Sequence, residues 1–332
     1  MKTHYFDRDS LPLAGELLAK GALVAFPTET VYGLGANALS QEAVQRIFSA
    51  KGRPSDNPLI VHISKSEDLA TLVRAVSPVA QKLMDRFWPG PLTLVFPKTD
   101  AVPDVVTAGL DSVAVRMPEH PWALELLEHA GVPVAAPSAN RSGTPSATTW
   151  EAVRDDLDGR VEGIVCGPPT DIGLESTVVD TTGLHPRVLR PGKVSYEELM
   201  KVCSDIEPYR GSEIVSESTI GNHEGSSPHA PNSPGLRHRH YQPIARVRIV
   251  LHPGSTPPKK TCYIGIEPPP PATGYMACCL VRTLDEYARV LFDFFRHADR
   301  LGADQIECQQ VPEIGLGTAL MDRLQRASMS SD

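Results

Sequence analysis

The chain has 332 residues, enough for one large domain or two ordinary ones, each able to bury a real core. Charged residues make up 22% and the net charge is −8, a globular composition that excludes coating nucleic acid by charge alone and leaves room only for a local basic cleft. The six cysteines show no CxxC pair or zinc spacing, MKTHYFDRDS carries no apolar signal region, and no apolar run nears the ~18–20 residues of a membrane span, so reduced thiols, no membrane contact and a cytoplasmic location are expected.

The first unit organises the rest. Residues 21–26, GALVAF, read as a buried strand that stops at Pro27. A polar turn, Thr28-Glu29-Thr30, and a glycine pair, Gly33 and Gly35, follow. Ser40 is placed to cap a helix with Ala43, Val44, Ile47 and Phe48 at helical spacing, and Gly52 suits the position just past its end. Lys51, Arg53, Ser55 and Asn57 lead into a second strand at residues 58–63, which carries His62. These ends should converge on one cleft lined by Thr28, Thr30, Lys51, Arg53, Asn57 and His62, a set that suits a ligand with anionic groups and several hydrogen-bonding edges. The plainer alternative is that the cations offset a helix dipole and the threonines merely shape a turn.

Further along, a helix starts at Ser77-Pro78 and ends before Trp88, and strands are predicted at 92–96 and 112–116. A helix at 121–130 precedes a strand at 132–136 that runs into PSANRSG. Thr148 or Thr149 caps a helix reaching Leu157; strands at 162–166, 176–181 and 187–190 and a helix near 196–202 close this part. Several consecutive strands lack intervening helices. The fold class expected is therefore α/β with α+β character, a twisted, mixed, open sheet with flanking helices. Residues 208–243 turn rich in Gly, Ser, Pro, His and Asn and read as a long linker, with Arg237, His238, Arg239, His240 and Tyr241 near its end and His229 earlier. The strong stripe from Leu284 to Ala298, the strands at 247–251, 262–266, 275–281 and 305–308, and a closing helix at 317–327 make a small Rossmann-like α/β domain. The domains expected are 8–206, a linker 207–244, and 245–330.

Three clusters carry further chemistry. Ser112 and Arg116 stand at the two ends of one strand, and Arg116 suits a bidentate anion or a structural ion pair. Ala136 to Gly143, with Ser146 after it, lets backbone N–H groups approach a phosphate, or is a plain turn. Ser176 opens a strand and Arg190 closes the next, so both can face one cleft. Gly33-Leu34-Gly35-Ala36-Asn37-Ala38 fits the dinucleotide pattern G-x-G-x-x-A only formally, since six residues separate it from the strand and no acidic residue follows at ribose spacing.

FPTETVYGLG followed by KGRPSDNPLIVHI resembles the signature of the threonylcarbamoyl-AMP synthase family, which has the YrdC-like fold, and PGLRHRHYQP resembles the linker of its longer, two-domain branch. The resemblance implies a nucleotidyltransferase that condenses L-threonine, bicarbonate or CO2, and ATP into L-threonylcarbamoyladenylate and pyrophosphate. The product would pass to downstream threonylcarbamoyl-transferase proteins for tRNA modification. It implies threonine contacts at Thr30, His62, Arg116, Ala136 and Ser176, and ATP contacts at Arg53, Asn57, Ser112, Ser138, Ser146, Arg190 and Tyr241. Lys51 and Arg53 would be the catalytic cations, and Mg2+ would be held mainly by the ATP phosphates, with no metal site in the protein. Two rival expectations stand beside it. One is an RNA-binding module without turnover. The other is a carbamoyl-transfer domain of hydrogenase maturation proteins, whose acylphosphatase and zinc-finger segments are not visible here.

Overall fold

The computed structural model describes residues 1–210, 241–271 and 273–329. The first part runs β1 (His4–Phe6), α1 (Leu11–Ala19), β2 (Val24–Phe26), β3 (Gly33–Asn37), α2 (Gln41–Lys51), β4 (Ile60–His62), α3 (Leu69–Leu72), α4 (Pro78–Phe87), β5 (Leu92–Pro97), α5 (Asp104–Thr107), β6 (Ser112–Arg116), α6 (Pro121–Ala130), β7 (Val134–Ala135), α7 (Trp150–Leu157), β8 (Gly163–Val165), β9 (Thr177–Asp180), β10 (Arg187–Arg190) and α8 (Tyr196–Met200). Its strands form one ten-stranded mixed sheet in the order β1-β8-β2-β3-β7-β4-β6-β5-β9-β10. The second part adds β11 (Arg246–Val250), β12 (Thr261–Gly265), β13 (Cys278–Leu280), α9 (Leu284–Arg300), β14 (Gln305–Gln309) and α10 (Leu316–Ser328). Its four strands form a separate parallel sheet in the order β11-β14-β12-β13.

Alternation along the strands sorts the large sheet into two faces. Ala25, Leu34, Val61, Leu94, Val115 and Val179 point into a core built with α2, α3, α4 and α7. On the opposite face, Val24, Phe26, Val134 and Val165 pack under α1 and α6, which cover only half of the sheet. Over the other half, Ile60, Val95, Ala114, Val178 and Leu189 form a small apolar cluster of their own. The register of β10 on β9 slips between Val188 and Arg190, a bulge.

Three elements depart from the expectations. The glycine pair at Gly33 and Gly35, assigned to no element from the sequence, lies in β3, antiparallel to β2. It lacks β-branched residues because the sheet is tight there: a side chain on Gly35 would come within 2.9 Å of Val134 and 3.0 Å of Phe26. The unpredicted α1 has no capping side chain, because Ser10 bonds Asp7 instead. The third, β1, is a three-residue edge strand beside β8. The expected capping of α2 is present, with Ser40 accepting from the Ala43 N–H and Gly52 left-handed at φ 63°. Arg237, His238, Arg239, His240 and His229 lie outside the described residues, as does most of the predicted linker.

The two parts meet closely. Val31 and Leu174 of the first belong to the apolar core of the second, together with Tyr241, Leu291, Phe292 and Leu324. Gly173, at φ +81°, is required there, because a Cβ would lie 2.4 Å from the Arg289 Cα on α9. Arg296 of α9 pairs with Asp156 at 2.7 Å, and Lys193 pairs with Asp285.

Candidate active site

The half of the sheet face that α1 and α6 leave uncovered carries a half-open cleft, with about 610 Å³ of space between its walls, open solvent included. Strand alternation puts His62, Arg116 and Thr93 on this face, and Ser176 opens β9 beside Thr93. The cavity is lined by Thr30, His62, Arg116, Ala136 and Ser176 together with Arg53, Ser138, Arg190 and Tyr241.

At one end Arg116 is buried and crossed by three partners. Its Nε donates to the Gly90 carbonyl at 3.1 Å, its Nη1 to the Thr30 hydroxyl at 2.8 Å, and its Nη2 lies 2.6 Å from a Glu29 oxygen. Thr30 is held in turn by Thr28, 2.8 Å away. His62 pairs with Arg116 across β4 and β6 and meets the edge of Phe26. Burial, then the charge of Arg116, pushes the His62 pKa down to about 3, so the ring is neutral at physiological pH.

At the other end the bulge in β10 turns Arg190 toward the cavity. Its Nε donates to the Ser176 carbonyl at 3.0 Å and its Nη2 to the Ser176 hydroxyl at 3.1 Å, while that hydroxyl shares a 2.7 Å bond with Thr93. Burial lowers the Arg190 pKa and brings Arg53 to about 10, which leaves Arg53 charged near neutrality. Glu175 is buried behind them. Burial alone would raise its pKa, but Arg323, Arg190 and a 2.6 Å bond from Ser146 outweigh that and lower it. Tyr241, at φ 70°, stacks on Phe292 with ring centroids 5.2 Å apart.

Four predicted site residues do not line the cavity. Lys51 sits behind it, donating its ammonium to the carbonyls of Ser138 and Asn140, while the Ser142 N–H returns to the Lys51 carbonyl at 2.9 Å. Lys51 therefore shapes the loop that carries Ser138. Burial, then Arg53, pulls its pKa well down, against the opposing charge of Asp156. Ser146 reaches the cavity through Glu175. Asn57 is buried beside Pro58, which is part of the lining. Ser112 lies four residues from Arg116 on the same strand, ~13 Å away at ordinary rise. Sequence reasoning did not single out Glu29, Thr93, Glu175 or Arg323. An acidic residue inside Thr28-Glu29-Thr30 reads as a turn, and Glu175 and Arg323 are 148 positions apart.

Among the described residues no group of three or more His, Cys, Asp or Glu side chains is placed to hold a metal. Glu29 and Glu175, the carboxylates beside the cavity, are both paired with arginines. No described helix is long and apolar enough to cross a membrane.

A family model described as "Telomere recombination", covering Sua5, YciO and YrdC proteins, matches residues 16–192. One described as "Threonylcarbamoyl-AMP synthase, C-terminal domain" matches residues 194–329. The chain is 45% identical to the threonylcarbamoyl-AMP synthase of Pyrococcus abyssi, over 95% of this chain and 93% of that one. It is 43% identical to the Bacillus subtilis threonylcarbamoyl-AMP synthase, over 95% and 92%. The crystal structure of P. abyssi Sua5 complexed with L-threonine superposes with a TM-score of 0.86 at 41% identity, covering 98% of each chain.

Proposed function

The chain belongs to the threonylcarbamoyl-AMP synthase family, and on that premise we propose that it joins L-threonine, bicarbonate and ATP into threonylcarbamoyl-AMP. The observation that carries this reading is the cavity itself. One end offers Thr30, His62 and Arg116 to a small amino acid, and the other offers Arg53, Ser138 and Arg190 to a triphosphate, with Ser176 between them.

In this reading the threonine amine and bicarbonate give a carbamate and water. A carbamate oxygen then bonds to the α-phosphorus of ATP as the bond from that phosphorus to the bridging oxygen breaks, and pyrophosphate leaves with the bond pair. That makes the enzyme a nucleotidyltransferase. Arg116 donates one N–H each to Gly90 and Thr30, while its Nη2, close to Glu29 but without a hydrogen bond, keeps its N–H groups for the threonine carboxylate. The neutral His62 adds no charge and orients the threonine hydroxyl or amine. Arg53 and Arg190 take the phosphate charge, and the loop held by Lys51 presents Ser138 and backbone N–H groups. No protein nucleophile is needed; positioning and fixed cations lower the barrier. We assign Asn57, Ser112, Ser146 and Tyr241 to the nucleotide side and Ala136 to the threonine side. Mg2+ would ride on the triphosphate oxygens, since the nearby carboxylates are engaged, and there it would offset phosphate charge. We place the enzyme in the cytoplasm, upstream of the threonylcarbamoyl-transferase that modifies tRNA.

The test is pyrophosphate release dependent on both threonine and bicarbonate. Wild type should show it, and Arg53→Ala should lose it while keeping its circular dichroism. Full activity in that variant overturns the assignment. RNA affinity with steep salt dependence and no threonine-dependent use of ATP would favour the RNA-binding module instead.

A further inference from the structure

Arg323, on α10 of the small domain, is fully buried. Three of its four contacts concern the nucleotide end of the cavity. Nε donates to Glu175 at 2.8 Å, Nη2 donates to the Pro191 carbonyl at 3.1 Å, and the guanidinium carbon lies 5.5 Å from the centre of the Tyr241 ring. Nη1 is fixed by Asp322 at 2.6 Å, and Asp322 is itself held by Tyr209 at 2.8 Å and by Arg326. Glu175 and Pro191 are the chain neighbours of Ser176 and Arg190. The side chain therefore ties the start of β9, the end of β10 and the Tyr241 segment to one helix of the other domain.

The electrostatic consequence is specific. Glu175 feels both Arg323 and Arg190. While Arg323 holds the carboxylate, Glu175 is kept off Arg190. Without it, Glu175 has a second guanidinium at hand, and pairing there would quench a charge the phosphates need. We infer that Arg323 is a positioning residue for the ATP half of the reaction, acting from the C-terminal domain by restraining Glu175, the Arg190–Pro191 turn and Tyr241. This rests on the reading above that the cavity takes ATP.

The experiment is steady-state pyrophosphate release by the full chain, with ATP and threonine varied separately. Arg323→Met should raise the KM for ATP about tenfold or more and leave that for threonine within about twofold. Arg323→Lys, which keeps the charge but not the fork, should fall between. Adding Glu175→Gln to Arg323→Met removes the quenching carboxylate and should recover much of the lost ATP affinity, a coupling that a merely structural role would not produce. Loss of a buried ion partner can unfold a domain. If Arg323→Met does not fold, the Lys variant decides. An unchanged KM for ATP in Arg323→Lys, equal rises for both substrates, or no recovery in the double variant overturns the inference. A wild-type enzyme that releases no pyrophosphate with threonine and bicarbonate overturns the functional reading instead, and the two failures are thereby told apart.

Discussion

The two ends of the cavity are built differently. Around Arg116 every contact comes from the large sheet and its own loops: Glu29, Thr30, His62 and Gly90. Around Arg190 the wall is shared, since Glu175 is held by Arg323 and Tyr241 leans on Phe292, both from the second domain. The amino-acid end is thus formed when one domain folds, and the nucleotide end is complete only when two domains dock. A selective niche gains from rigidity, whereas a site that must admit and release a large polyanion can be assembled from a movable partner.

That contrast can be broken most forcefully at Arg116. Arg116→Lys keeps a cation for Glu29 but loses the fork, and kcat/KM for threonine should fall about 100-fold while the KM for ATP stays within about twofold. Equal damage to both substrates would show that the ends are not separable. Gly173→Ala should act in the opposite sense. Its Cβ would strike the α9 backbone, so stability should drop by about 1–3 kcal/mol in thermal melts, and the KM for ATP should rise more than that for threonine. The rigid end also has a pH signature. His62 ordinarily titrates near 6.5 and in the fold near 3, so the unfolded chain takes up a proton first as pH falls. Its contribution is complete above pH 6.5 and is lost progressively toward pH 3. Between pH 6.5 and 5 wild type should lose about 1–2 kcal/mol more than His62→Asn in urea melts. The smallest effect is expected at Lys193→Ala, which removes an exposed interdomain pair with Asp285 and should cost under about 1 kcal/mol.

How legible each end was follows from the same difference. The Ser40 cap, the Gly52 terminus and the strands at 112–116 and 187–190 are local signals, and the structure has them. Thr30, His62 and Arg116 were also readable as cleft residues, because each sits at a strand or turn end near the others in the pattern. Their paired carboxylate, Glu29, was not, since a charge inside a turn looks solvated until burial is known. The β3 strand was hidden because its glycines answer to Phe26 and Val134, which no window of sequence contains. Glu175 and Arg323 were hidden most deeply. A lone arginine on an amphipathic helix reads as surface, and its partner lies in another domain.

The irregular step in β10 carries a cost in chain length rather than in residue type. Strict alternation after Val188, which packs in the core, would return Arg190 to that same aliphatic layer; the extra residue, Leu189, sends the guanidinium the other way. Inserting a single residue between 188 and 190 would turn the side chain over once more and drive a permanent cation among hydrocarbons. This edge of the sheet should therefore tolerate exchange of one aliphatic for another far better than the gain of one amino acid.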